Sequence, residues 1–275
     1  MTPDELIDIE IKLLTEGVYQ VYGYDFREYA EASLRRRLIQ WLSGSGYDTL
    51  SQAQSEVLRE RTQFDILLRG ITVNVSEMFR DPAFFKTVRD QVVPHLKTYP
   101  FVKIWHAGCA TGEEAYSMAI LLLEEGLKGR FRIYATDINE EVINKARKGI
   151  YPLNEMQRYT RNYQQAGGAR SFSDYYTAGY DHAILDPSLS DYIVFAAHNL
   201  AADADFGEMN LILCRNVMIY FNQSLKERVL GLLDRSLVAG GFLCLGTKES
   251  LDQRHISGRY EEIKSRARIY RKRYA

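Results

Sequence analysis

Two glycines separate an apolar run from an amphipathic one in "IWHAGCATGEEAYSMAILLLEE", residues 104 to 125, and the next apolar run ends on a carboxylate, Asp137 in "IYATDIN". In an open α/β sheet, ligands bind beyond the carboxyl ends of the strands, where a glycine turn lets the backbone come close to them. A carboxylate at the end of the neighbouring strand, 25 residues after Gly112, can accept hydrogen bonds from two ribose hydroxyls. Each feature also has a plainer explanation. Gly108 and Gly112 suit chain reversal or packing, Asp137 suits the N-cap of the helix that follows it, and Glu113 and Glu114 suit the positive end of a helix macrodipole. "AGCATG" is not the dinucleotide fingerprint, and no GK[ST] or arginine cluster awaits a triphosphate, so phosphate binding fares worse.

The elements needed to hold these residues follow from pattern. Beyond residue 100, "FVKIWHA", "FRIYATD", "YIVFAAH", "MNLILCR" and "GGFLCLG" alternate with the helical stretches "EEAYSMAILLLEEG", "NEEVINKARKG" and "QSLKERVLGLLDRSL". That alternation predicts an α/β fold with a mostly parallel sheet and helices on both faces. "ARIYRKR" suits a final antiparallel edge strand. Residues from about 150 to 190 break the alternation with a Tyr-rich, turn-rich stretch that suits a small β insert. Upstream, Thr2 and Glu5 form a capping box with Pro3 at the first helical position and Leu6, Ile9 and Leu13 on one face. In a second helix Leu34, Leu38 and Trp41 make an apolar stripe, with Arg35, Arg36 and Arg37 around the opposite face. With "SQAQSEVLRERTQFDILLRGI" as further helix, residues 1–70 form an all-helical domain, 71–92 a linker and 93–275 the sheet domain.

Composition narrows the class. The 275 residues carry 35 basic and 36 acidic side chains, a formal charge of -1, so no broad attraction to nucleic acid or anionic membrane is expected. Cys109, Cys214 and Cys244 lack ligand spacing, which argues against a disulfide framework or a zinc site. No stretch reaches the roughly twenty apolar residues of a membrane span, and "MTPDELIDIE" is acidic where a signal peptide is basic. A cytoplasmic monomer without a metal or membrane insertion is expected.

The turn follows the looser GxGxG pattern of S-adenosylmethionine-dependent methyltransferases. "TVNVSEMFRDPAFF", "AGCATGEEAYSMA", "ATDINEEVINKARKGIY", "HNL" and "LILCRNVMIYF", in that order, resemble the CheR-type glutamate methyltransferases of bacterial chemotaxis. The resemblance implies a class I methyltransferase-like sheet with a small β-subdomain and an all-helical N-terminal domain. It implies S-adenosylmethionine as cofactor, with S-adenosylhomocysteine as product. By the same resemblance Asn74, Ser76 and Arg80 belong to a linker folded over the cofactor. Gly108 belongs to its turn, while Glu114, Asp137, Asn199 and Leu200 match contacts to its methionine, ribose and adenine parts. Arg215 and Asn216 match further cofactor contacts, and Arg80 and Tyr220 match the pair facing the transferring methyl group. Arg35, Arg36 and Arg37 are expected to recognise the protein substrate. The sequence departs from the family's pattern at Ser76, Met78 and Ala115 and in "LGTKESL", where many relatives carry a histidine-serine-glutamate turn, and His106 stands where many other methyltransferases carry an acid.

The implied activity is methylation of glutamate side chains on a signalling protein, a chemoreceptor first among them. A nucleic-acid methyltransferase is disfavoured because "CRNVMIYF" lacks the Asn/Asp-Pro-Pro-aromatic turn that receives a flipped base. A non-catalytic cofactor-binding module would keep the glycine turn and Asp137 but has no need of the Arg80 and Tyr220 pair.

Overall fold

The computed structural model describes residues 2–251 and 258–274; Met1, residues 252–257 and Ala275, which the expected domain spans include, lie outside them. Helix α1 (Pro3–Tyr22) begins with the capping box: Glu5 N–H donates to the Thr2 hydroxyl and Thr2 N–H to the Glu5 carboxylate. It ends at Gly23, whose φ of 76° stops the helix in the left-handed region. The apolar set Leu6, Ile9 and Leu13 faces solvent, while Ile11, Leu14 and Val18 are buried. The side that is covered is the one along which α3 packs, and Gly17 lets Leu58 approach there. Helices α2 (Glu31–Ser43), α3 (Leu50–Arg59) and α4 (Arg61–Ile71) complete the helical unit around Leu14, Leu38, Phe64 and Leu67. The further helix expected after residue 50 is present as two helices, divided at Glu60, which is extended and stands at the N-cap position of α4.

An irregular segment leads into α5 (Pro82–Thr87), a π-helical turn at Val88–Val92 and α6 (Val93–Leu96). The sheet domain then runs β1 (Val102–Ala107), α7 (Glu113–Glu124), β2 (Phe131–Asp137) and α8 (Glu140–Lys148). The insert follows: β3 (Ile150–Pro152), α9 (Met156–Gln165), β4 (Tyr176–Ala178) and β5 (His182–Leu185), whose strands form a separate antiparallel sheet in the order β3-β5-β4. After α10 (Pro187–Ser190) come β6 (Ile193–Ala197), β7 (Met209–Cys214), α11 (Gln223–Ser236), β8 (Leu237–Leu245), β9 (Tyr260–Lys264) and β10 (Ile269–Lys272).

The large sheet has the order β6-β2-β1-β7-β8-β10-β9. Strands β6, β2, β1, β7 and β8 are parallel, and β10 is antiparallel to both neighbours. The "ARIYRKR" strand is therefore antiparallel as expected but not at the edge, because β9 lies outside it. Strand β1 is flanked by β2 on one side and β7 on the other, so the strand order reverses at its carboxyl end. That switch point is where an open α/β sheet leaves a crevice. Among the described residues no helix is long and apolar enough to cross a membrane.

Candidate active site

Beyond Ala107 the chain enters Gly108, whose φ of 79° favours glycine. A Cβ there would also lie 2.4 Å from Val217 Cγ2. Gly112, with φ of 91°, serves packing: an added Cβ would meet the Cβ of Ala146 in α8 at 2.9 Å and Phe195 at 3.3 Å. Only the first of the two glycines lines the cavity at the switch point, a space of about 200 Å³.

Between them Ala110 donates its N–H to Asp137 Oδ2 at 2.9 Å, and Asn139 N–H donates to Asp137 Oδ1 at 3.0 Å. Asp137 is thus not the cap of α8; Asn139 is, accepting from Glu141 N–H at 2.9 Å. Each Asp137 oxygen holds one backbone donor and keeps acceptor capacity for the cavity it lines. Burial pushes this carboxyl above its ordinary value against the pull of the surrounding N–H groups.

The adjacent acids of α7 separate. Glu113 turns to the Thr111 hydroxyl, and burial raises its pKa. Glu114 lines the cavity and accepts from Arg215 Nη1, while Arg215 Nη2 donates to Asp81 Oδ2 at 2.7 Å. The same guanidinium lies 3.9 Å from the Phe84 ring centroid, and His106 Nδ1 stands 3.4 Å from Glu114 Oε1. Burial alone would raise the Glu114 carboxyl, yet Arg215 and His106 bring it down to about 2.

The segment between the helical unit and α5 is pinned beside this cluster. Phe79 is fully buried and its N–H donates to Ser117 Oγ at 2.9 Å. Phe79 and Asp81 both have positive φ, 51° and 57°. Such conformations cost about 1–3 kcal/mol each and persist where the surroundings over-determine them. Arg80, held between them, lines the cavity and has no ion pair among the described residues.

The helical unit closes the cavity with Tyr29, Ser33, Leu34 and Arg37. Its backbone pairs with the loop after β7: Ala30 N–H donates to Tyr220 O at 2.8 Å and Asn222 N–H to Glu28 O at 2.9 Å. The Arg37 guanidinium lies over the Tyr220 ring, 4.9 Å from its centroid.

A buried carboxylate that the sequence reading did not assign positions this loop. Glu249 Oε2 accepts from Asn216 N–H at 2.9 Å and Gly246 N–H at 2.6 Å; Oε1 accepts from Val217 N–H at 3.0 Å and Ile219 N–H at 3.3 Å. These bonds hold Asn216 at a φ of 61°. The available signal was an acid three residues beyond Gly246 at a strand end, inside the "TKES" departure.

Residues 74–269 match the family description "CheR methyltransferase, SAM binding domain", and residues 9–72 match "CheR methyltransferase, all-alpha domain". The chain belongs to the CheR methyltransferase family. It is 51% identical over 272 residues to a Pseudomonas putida protein named as a methyltransferase, Cher3, covering 99% of this chain and 100% of that one. A chemotaxis protein methyltransferase of Listeria innocua is 28% identical, covering 91% of this chain and 93% of its own. That of Escherichia coli is 27% identical, covering 93% and 88%.

The residues to which the CheR resemblance gave cofactor roles, Asn74, Ser76, Arg80, Gly108, Glu114, Asp137, Asn199, Leu200, Arg215 and Asn216, all line the one cavity, as does Tyr220. Besides Asp137 and Glu114, three of their side chains already have protein partners there, Asn199 Oδ1 accepting from Ala201 N–H at 2.9 Å. Asn74 Nδ2 donates to Thr72 Oγ1 at 3.2 Å, and Arg215 is engaged by Glu114 and Asp81. The expected arginine face does not stay together. Arg35 turns to α1, pairing with Asp4 at 2.6 Å and Asp8 at 3.0 Å; Arg36 is exposed with no ion pair among the described residues; Arg37 turns into the cavity. Successive helical positions are about 100° apart, so three consecutive arginines cannot share a face. The fit to S-adenosylmethionine rests on Asp137, with open acceptor positions for two hydroxyls, and on the ionised Glu114 at the same cavity.

Proposed function

We propose that this protein transfers a methyl group from S-adenosylmethionine to glutamate side-chain carboxylates of a signalling protein, a chemoreceptor in the first instance. The observation that carries the reading is that Arg80 and Tyr220 line the same cavity as Asp137 and Glu114, with Arg80 free of any ion pair among the described residues. The names of the Listeria innocua and Escherichia coli relatives support chemotaxis as the setting. When bound, the donor supplies an electrophilic methyl group: an ionised acceptor oxygen takes it as the sulfur–carbon bond breaks, leaving a neutral thioether and releasing no proton.

The work left to this chain is binding and alignment. A glutamate with a pKa of about 4.3 is already ionised at neutral pH, so no general base is required. Asp137 would hold the ribose hydroxyls, and Glu114, ionised by its partners, would hold the ammonium of the amino-acid end. Asn199 and Leu200 bound the base. Arg80 positions a carboxylate electrostatically, and the Tyr220 hydroxyl orients the acceptor. A site roofed by the helical unit would hold less water around the two opposite charges that the reaction consumes, so less solvation is lost on the way to the transition state.

Incubation with methyl-labelled S-adenosylmethionine and receptor cytoplasmic domains tests the reading. Label released by mild alkali as methanol supports an ester. Alkali-stable label would place the methyl on another acceptor, and no label on carboxylates at all would end the proposal.

A further inference from the structure

We infer that Tyr29 of the helical unit completes the ribose subsite, donating its hydroxyl to a ribose oxygen that Asp137 also engages, so that both domains hold the cofactor at once. The inference rests on the S-adenosylmethionine reading of the cavity and deepens it. Tyr29 and Asp137 line the same space. Among the described residues the Tyr29 hydroxyl has no hydrogen-bond partner. It is not one of the sealed, partnerless polar atoms of the interior, so it opens on the cavity that its ring lines.

The meeting of the two domains places the phenol there. Tyr29 is the one side chain among the described residues that packs against both the helical core and the core that includes Trp105 and Phe221. Its ring stands edge-on to Phe26 at 5.1 Å and to Phe221 at 5.2 Å between centroids, and its backbone bridges that of Phe221. Two aromatic contacts and a main-chain bridge leave the ring little freedom, so the hydroxyl is aimed before any ligand arrives. Burial raises the phenol above its ordinary value, and Asp137 is the charge that acts on it most, ahead of Asp25 and Arg37. The group is therefore a protonated donor on the Asp137 side of the cavity. A ribose hydroxyl donates one hydrogen and accepts on its lone pairs, whereas an ionised carboxylate only accepts. Asp137 can satisfy the hydrogens of the ribose but not its lone pairs. The Tyr29 O–H supplies a donor for one of them, from the other domain.

The test uses the full chain and three probes, S-adenosylhomocysteine and its 2′-deoxy and 3′-deoxy analogues. Each is titrated by calorimetry into wild type and into Tyr29→Phe, which keeps the ring against Phe26 and Phe221. The variant should bind S-adenosylhomocysteine about fivefold more weakly, the order of one neutral hydrogen bond. That ratio should fall to about one for the analogue lacking the hydroxyl that Tyr29 contacts. Carbon-13 at the tyrosine Cζ positions gives a second reading on the unaltered chain: the Tyr29 signal should move with S-adenosylhomocysteine and less with that analogue. Equal S-adenosylhomocysteine affinity in wild type and Tyr29→Phe, or the same weakening for all three probes, overturns the assignment. A wild type that binds none of the three ends the cofactor reading and this inference with it. Ribose-dependent weakening without ester formation by the wild type would sink the esterification reading and leave the Tyr29 contact standing.

Discussion

Arg215, just beyond β7, and Glu114, in the first turn of α7, meet as a buried ion pair across the carboxyl edge of the sheet, with Asp81 on the other side of the guanidinium. The Glu114 carboxyl has its pKa lowered from 4.5 to about 2 despite burial. A carboxyl that is more acidic in the folded chain stabilises the fold fully above its unfolded value and loses that contribution as pH falls toward the folded one. The stability gap between wild type and Glu114→Gln should therefore be widest above about pH 5 and narrow between there and pH 2. Chemical denaturation across that range checks it; a pH-independent gap would mean the pair contributes nothing through ionisation.

Asp137 carries the opposite shift, since burial raises its carboxyl. Acidification should weaken S-adenosylhomocysteine binding at a higher pH than an ordinary aspartate would, because protonation removes an acceptor. Asp137→Ala should cost about 1–3 kcal/mol of binding free energy, the worth of hydrogen bonds to a charged group. Calorimetry decides, and unchanged affinity would remove Asp137 from the site.

At Tyr220 chemistry and cofactor binding should separate. Tyr220→Phe keeps the ring beneath Arg37 and deletes only the hydroxyl, so turnover should fall by about 10-fold or more while cofactor affinity holds, as for an interaction made chiefly in the transition state. Full activity in Tyr220→Phe would reduce this residue to a packing aromatic and platform for Arg37.

The parallel strands and their helices were legible because each is a long apolar run with a clear period, and Asp137 and Gly108 because they sit where such strands end. What the sequence did not disclose depends on the meeting of distant segments. Nothing in "PDELIDIEIKLL" reveals that α3 covers Ile11 and Leu14 instead of Ile9 and Leu13. The Arg35, Arg36 and Arg37 run looked like one cationic face because its acidic partners on α1 and its aromatic partner after β7 lie 27 or more residues away along the chain. Glu249 was overlooked because its meaning lies in four backbone N–H groups, and main-chain donors leave no letter in a sequence.

That carboxylate gives a fourth expectation. Glu249→Ala would leave the N–H groups of Asn216, Val217, Ile219 and Gly246 without their acceptor. An unsatisfied buried donor costs about 1–3 kcal/mol, so a loss of at least that order is expected, with cofactor affinity falling because Asn216 moves. Glu249→Gln should fall between. Wild-type melting in Glu249→Ala would show that water replaces the carboxylate freely.

Arg36 is the member of the arginine run left for encounter with an acidic receptor helix. Arg36→Glu should raise the apparent receptor KM and flatten its salt dependence while cofactor binding stays intact, because exposed charge acts chiefly through steering. The same KM and salt profile as wild type would mean the receptor approaches elsewhere.

Part of the seam between the helical unit and the Tyr220 loop is written in the main chain, through Ala30 N–H to Tyr220 O and Asn222 N–H to Glu28 O, beside the side-chain contacts of Arg37 with Tyr220, Tyr29 with Phe221 and Glu28 with Arg228. A pairing of this kind is blind to which side chains flank it, provided proline does not take a donor's place. Residues on the roof of the cavity other than Glu28, Tyr29 and Arg37 are thus free to drift toward new acceptor proteins over evolutionary time without parting the two domains, and target choice can be revised while the machinery beneath it stays assembled.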